Sequence, residues 1–320
     1  MRAQQISELT GPGALKLVEL SDPDPGGGVL IDVVSAGVSF PDLLMSRGLY
    51  QTKPPRPFVP GVEVAGTVLS STSPEFEPGD PVMAVTMIGG FAEVAVAPPE
   101  LTVPIPLGLS MDAAGGFILN YHTAYFALAR RARLGEGQTL LVHGAAGGVG
   151  TAAIQVGRGL GARVFGVASS AAKREVAIAA GAEDAVDSSA DWNAWIRDRT
   201  DGRGADVIFD PVGGDRFDAS LRALAPEGRL VVIGFTEGRI PTLQVNRLLF
   251  RNVEVVGAAW GAFLAAEPQF FATAEAELEP MIQQGAVAPV IGATLPLERA
   301  ADALRMLENR EATGKIVLAI

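Results

Sequence analysis

The run with the most chemical content is His143-Gly144-Ala145-Ala146-Gly147-Gly148-Val149-Gly150. It follows the apolar stretch Thr139-Leu140-Leu141-Val142 and precedes the helix-like segment 151–160. Strand, small-residue turn and helix in that order can cradle a pyrophosphate. Small side chains let the backbone approach the phosphates, and the helix N-terminus offers unbonded amides and the positive end of its dipole. In the pattern G-x-G-x-x-G, Ala145 stands at the first glycine while Gly147 and Gly150 remain. Ala146, Gly147, Gly148 and Val149 are therefore expected to meet a dinucleotide. A tight structural turn is the alternative for such a loop on its own.

The second strand of such a unit decides which dinucleotide binds. An NAD site places a carboxylate about 20 residues after the loop, on the ribose hydroxyl. Here that strand ends Val167-Ala168-Ser169-Ser170, with Lys173 and Arg174 just beyond. No carboxylate repels a 2′-phosphate, and two hydroxyls and a cation can bind one. The expected cofactor is NADPH, held there by Ser169, Ser170 and Lys173. The serines also suit a helix N-cap, and the two roles are compatible.

Elements that would position these residues follow from the apolar patterning. Runs at 139–142, 163–167, 206–209, 229–233 and 253–256 alternate with helix-like segments 151–160, 171–180 and 216–224. Short apolar strands alternating with helices predict a parallel sheet covered on both faces. Residues before about 112 are different. Val29–Val34, Val62–Val68 and Phe91–Val96 are short runs between Gly and Pro, so this part is β-rich. After residue 260 come a helix (263–284), a short strand, a helix (297–309) and the strand 315–318. That tail is too short for a domain and is expected to complete the first one. The predicted class is α/β, with 113–259 a dinucleotide-binding domain and 1–112 plus 260–320 a catalytic domain.

Composition narrows the function. The 320 residues carry a net charge of −11, which disfavours nucleic acid as a partner. There is no Cys, so disulfides, thiolate nucleophiles and Cys-containing zinc sites are excluded. No apolar run reaches transmembrane length, and the first residues lack the apolar core of a signal peptide. The expectation is a cytoplasmic protein acting on a small molecule.

Further motifs lie in order along the whole chain: Ala36-Gly37-Val38-Ser39-Phe40-Pro41-Asp42, Arg47-Gly48-Leu49-Tyr50, Pro60-Gly61-Val62-Glu63-Val64-Ala65-Gly66, Asn120-Tyr121-His122-Thr123-Ala124-Tyr125, Phe209-Asp210-Pro211-Val212-Gly213-Gly214, Gly234-Phe235 and Gly314-Lys315-Ile316-Val317-Leu318. With the Gly-rich loop they make the chain resemble the medium-chain dehydrogenase/reductase superfamily, in its quinone oxidoreductase branch. The resemblance implies a GroES-like catalytic domain around a Rossmann domain, with the active site in the cleft. Zinc alcohol dehydrogenases of that superfamily hold their metal with Cys, His and Cys; Ser39, Val62 and Leu119 stand at the matching positions. None is a good zinc ligand. The resemblance thus implies zinc-free reduction of substrates already activated by conjugation, quinones or α,β-unsaturated carbonyls. The branch often has Asn in place of Ser39 and Tyr near Ser188, and this chain departs from it at both.

The same resemblance suggests site residues. Asn120 and Thr123 would line the nicotinamide and its phosphates, Gly234 and Phe235 would lie at the nicotinamide end, and Lys315 joins the cofactor set. Tyr50 would orient or protonate the substrate, or else anchor the Pro-rich loop 53–57; Asn120 is the other catalytic candidate. Asp42 is expected to order its loop, His143 to be structural, and His122 to be a candidate proton donor. The alternatives to a quinone reductase are a 2-enoyl thioester or alkenal reductase, and a non-catalytic NADPH-binding structural or regulatory protein. The run Val253–Trp260 would be the last Rossmann strand, and pairing of its edge with a twin predicts a homodimer.

Overall fold

A computed structural model describes residues 1–320, and in it the alternating segments after residue 138 build a six-stranded parallel sheet. Its strands lie in the order Asp184–Asp187, Arg163–Ala168, Thr139–His143, Ala205–Asp210, Leu224–Val232 and Glu254–Gly257. Counted along the chain this is 3-2-1-4-5-6, the doubly wound order. Thr139–His143 and Ala205–Asp210 are buried at every position, which is why their centres, Leu140 to Val142 and Val207 to Phe209, read as unbroken apolar runs. The order reverses between these two strands. The connections leaving their C-terminal ends therefore diverge to opposite faces and leave a crevice there. On one face Leu141, Phe165, Ile208 and Leu230 pack with Trp192, Ile196, Phe217 and Leu221.

The chain divides into two compact units, Tyr121–Ala288 and Met1–Asn120 with Pro289–Ile320. The tail returns to the first unit as expected, but only from residue 289. The helices Trp260–Ala266 and Phe270–Gln283, read from the sequence as part of the catalytic domain, lie in the second unit. Their apolar faces find aromatic partners there: the Phe126 ring is 4.7 Å from Phe263 and 5.6 Å from Phe270.

The first unit holds a seven-stranded sheet. Ile291–Pro296, Lys315–Ala319, Val29–Val38, Glu63–Ser71, Pro81–Val85 and Thr102–Pro104 follow one another, and Val94–Ala97 also pairs with Val29–Val38. Register matters for the site. Ile316 lies opposite Val38, and Val64 opposite Ala36. Lys315, Ser39 and Glu63 are thus brought to the same end of three adjacent strands. A separate two-stranded ladder, Arg2–Ile6 with Leu15–Glu19, was not foreseen. No helix is long and apolar enough to cross a membrane.

Candidate active site

In the second unit the Gly-rich turn leaves the C-terminal end of Thr139–His143 at the point where the strand order reverses. Gly144 has φ +60°, a conformation side chains resist. The Gly147 amide donates to the Gly144 carbonyl at 3.0 Å and closes the turn. The helix Gly148–Gly159 starts directly on it, and a Cβ at Gly150 would lie 2.2 Å from the Gly144 oxygen. Only glycine permits that approach. Ala146 is buried, while Gly147, Gly148 and Val149 are half-exposed at the helix start.

Arg163–Ala168 ends beside this turn, with the Ala145 amide on the Val167 carbonyl at 3.2 Å. Ser169 and Ser170 are exposed, and the Ser170 hydroxyl caps the helix Ala171–Ala179 by accepting from the Lys173 amide at 3.3 Å. Arg174 is taken by Asp187 at 2.5 Å. Lys173 is half-buried one turn into the helix. The loops after the fourth and fifth strands are stitched together. Asp210 Oδ1 accepts from the Val212 and Gly213 amides, and the Thr236 amide donates to the Pro211 carbonyl at 3.1 Å. Phe235 packs closely over Gly213, where a Cβ would lie 2.9 Å from the ring.

Asn120 and Thr123 lie three residues apart on the helix Ile118–Tyr125, hence on one side of it. Asn120 is buried and Thr123 half-buried. His122 turns elsewhere. Its Nε2 is 2.9 Å from Glu275 Oε2, and its ring packs on Phe271 and Trp260. His143 is fully buried, with Nε2 2.9 Å from Ser220 Oγ. Burial holds its pKa down at about 4, so the ring is neutral, as a structural role requires.

The first unit contains a buried polar cluster that only partly matches expectation. Lys315 Nζ donates to Ser39 Oγ at 2.6 Å and to Glu63 Oε1 at 2.5 Å. Glu63 Oε2 accepts from the Leu119 amide at 2.8 Å. All three side chains are more than nine-tenths buried. Lys315, expected among the cofactor residues, has its ammonium committed to Ser39 and Glu63. Glu63 is not among the residues singled out by type and spacing, although it lies within the motif at 60–66. Asp42 orders its surroundings as anticipated. Its Oδ2 accepts from the Ser39 amide at 2.9 Å and its Oδ1 from the Gly61 amide at 3.1 Å. Burial pushes its pKa up to about 7, against the lowering by those amides and by Lys315. Tyr50 is half-buried on the core of this unit; burial, then the neighbouring Asp42 charge, raises its pKa.

Residues 25–107 match the alcohol dehydrogenase GroES-like domain, and residues 148–277 match the family described as zinc-binding dehydrogenase. A mouse protein called quinone oxidoreductase-like protein 2 is 35% identical over all of this chain and 92% of its own length. The chain belongs to the quinone oxidoreductase branch of the medium-chain dehydrogenase/reductase superfamily, and it is an oxidoreductase. Two solved structures are similar over their full length and all of this chain. One is a mycobacterial protein complexed with NADPH (32% identity, TM-score 0.91); the other is an Escherichia coli quinone oxidoreductase complexed with NADPH (26%, 0.91). The residues here do not fit the metal that the second family's description implies. No three His, Cys, Asp or Glu side chains converge as a metal set. The positions that the sequence resemblance matches to zinc ligands hold Ser39, Val62 and Leu119, and the Lys315 ammonium sits on Ser39 Oγ and Glu63.

Proposed function

We propose that this oxidoreductase uses NADPH to reduce quinones or similar conjugated carbonyls, without zinc. The observation that carries the reading most is the pair of strand ends in the second unit. One presents a glycine-closed helix start, and the other presents Ser169, Ser170 and Lys173 with no carboxylate. The NADPH named in the two solved relatives supports the same choice. Ala146 to Val149 would hold the pyrophosphate, Ser169, Ser170 and Lys173 the 2′-phosphate, and Asn120, Thr123, Gly234 and Phe235 the nicotinamide end. The bound cofactor supplies a hydride; the protein orients it and excludes water. A substrate activated by its own conjugation needs no Lewis acid, which accords with a site whose cation is a lysine. Tyr50 and Asn120 are the groups proposed to orient the substrate. The absence of cysteine accords with a cytoplasmic setting.

Steady-state NADPH oxidation with 1,4-benzoquinone, crotonyl-CoA and an alkenal tests the reading. Turnover that is fastest with the quinone is expected. Preference for crotonyl-CoA or the alkenal would move the protein to the enoyl or alkenal reductases. NADPH binding without turnover on any of them would leave a structural or regulatory protein.

A further inference from the structure

Ser39 occupies an unusual electrostatic position. It stands at the N-cap of the helix Phe40–Ser46, with its amide held by Asp42. Its hydroxyl oxygen accepts from a lysine ammonium at 2.6 Å and lies 3.3 Å from the carboxylate that ammonium also binds. The three residues come from positions 39, 63 and 315 and meet only because of the sheet register. The surroundings are built around the pair. A Cβ at Gly37 would lie 2.5 Å from Glu63 Oε1, and one at Gly116 would lie 2.6 Å from Lys315 Cγ. Glu63 is 1% exposed, Lys315 4% and Ser39 6%. Glycine-lined packing closes over the ion pair, and Ser39 is its least buried member. An ion pair serving stability alone gains little from burial, since desolvation offsets its attraction. Here the ammonium polarises a hydroxyl whose own hydrogen is aimed at Glu63 Oε1 over 3.3 Å, a contact longer than a good O–H···O bond and readily exchanged for a nearer acceptor.

We propose that Ser39 is the proton donor to the substrate oxygen, with the Lys315 ammonium, held in place by Glu63, making its hydroxyl acidic enough to serve. The inference rests on the reductase reading above. In the reaction a conjugated carbonyl receives a hydride from the nicotinamide cofactor, and its oxygen takes the resulting charge. The Ser39 O–H bond then breaks as the substrate O–H bond forms, and a proton from Lys315 Nζ replaces the one lost from Oγ. The lysine regains its proton through Ser39 Oγ, the least buried member of the cluster, from solvent once the product has left. One hydride and one proton enter the substrate, which turns a quinone into a quinol, while Glu63 remains a carboxylate throughout. Ser39 is the catalytic residue of this group; Lys315 and Glu63 act through it.

The test uses Ser39→Ala, Ser39→Thr and the double variant Glu63→Gln/Lys315→Met, which removes both charges and so leaves no lone one buried. Ser39→Ala is expected to lower kcat with 1,4-benzoquinone about 100-fold, the scale of losing a positioned proton donor. NADPH Kd, followed by cofactor fluorescence, should change less than about twofold, and Ser39→Thr should restore kcat to within about fivefold of wild type. The double variant should lower kcat about tenfold or more through loss of polarisation. The solvent deuterium isotope effect on kcat should be present in wild type and absent in Ser39→Ala. A Ser39→Ala enzyme with unchanged kcat and isotope effect would overturn the assignment. So would a loss of NADPH affinity in the double variant, which would return Lys315 to the cofactor, or Thr and Ala variants equally impaired and equally lowered in Tm. Failure of the reductase reading shows first, as wild type that oxidises no NADPH with any acceptor. The proton-donor site is then judged without turnover, using 4-nitrophenol as an oxyanion probe. Wild type should shift its ionisation to lower pH and Ser39→Ala should not; no shift with wild type refutes the site.

Discussion

Replacing His143 by glutamine should remove a specific part of the protein's acid sensitivity. The ring is fully buried at the C-terminal end of Thr139–His143, one residue before the Gly-rich turn. The Ser220 hydroxyl donates to the Arg216 carbonyl at 3.0 Å, which uses its only hydrogen, so His143 Nε2 must be the donor across their 2.9 Å contact. Nδ1 then carries the lone pair, and it has no partner. A proton there would add both a charge and an unsatisfied donor, with the Trp192 ring packed 4.8 Å away. Burial accordingly lowers the pKa from 6.5 to about 4, with the Asp210 charge opposing it in part. The folded pKa lies below the unfolded one, so the unfolded chain takes up the proton first as pH falls. The stability gained from a neutral ring is complete above 6.5 and is lost as pH drops through the range to 4. About 2.5 pH units at about 1.4 kcal/mol each give a loss on the order of 3 kcal/mol. Glutamine can still donate to Ser220 but does not titrate. Urea unfolding of both proteins at intervals from pH 7 to 4 isolates the effect, because other titrations cancel in the difference. The stability of wild type relative to the variant should fall by about 3 kcal/mol over that range. A difference that stays constant with pH would show that the ring is accessible or already charged in the folded protein.

Three further outcomes follow from the proposed function. NADPH should bind about tenfold or more tightly than NADH, and Lys173→Ala should erase most of that margin, since charge-assisted phosphate contacts carry it; equal calorimetric Kd values in wild type would contradict the 2′-phosphate site. Exhaustive chelation should leave quinone reduction intact, whereas stoichiometric zinc lost together with activity would show the Ser39 cluster to be misread. The strand Glu254–Gly257 pairs with a strand on one side only, Leu224–Val232, and although Arg131 takes the Gly257 carbonyl at 2.9 Å, no strand covers its other edge, where a twin can pair. Light scattering should give a homodimer at micromolar concentration, weakened by Val255→Pro; a monomer mass would refute the assembly.

What could be read in the sequence divides along a physical line. The Rossmann strands and the Gly-rich turn were legible because each is specified by neighbours in sequence: unbroken apolar runs for strands buried on both faces, and small residues where backbone must approach backbone. Arg2–Ile6 was not, because its interior position Gln4 is polar. The structure buries Gln4 at 2% exposure by giving its amide the Leu297 carbonyl at 2.9 Å, a partner 293 residues away. Asp184–Asp187 escaped notice for the same reason: Arg199 and Arg174 supply the charges that its two aspartates need. Periodicity marks the segments after residue 260 as helices, but it reports an apolar face and not what covers it, and Trp260–Ala266 and Phe270–Gln283 belong to the second unit. The buried cluster shows the limit most plainly. Ser39, Glu63 and Lys315 each sit in a motif that resemblance picks out, yet nothing local marks them as partners. Their meeting depends on Lys315–Ala319 pairing antiparallel to Val29–Val38 in a register that sets Ile316 against Val38. A one-residue slip would turn the lysine to the opposite face of the sheet. Residues that act alone can be found from their neighbours in sequence, while residues that act by changing one another's acidity can be found only once the strands are aligned.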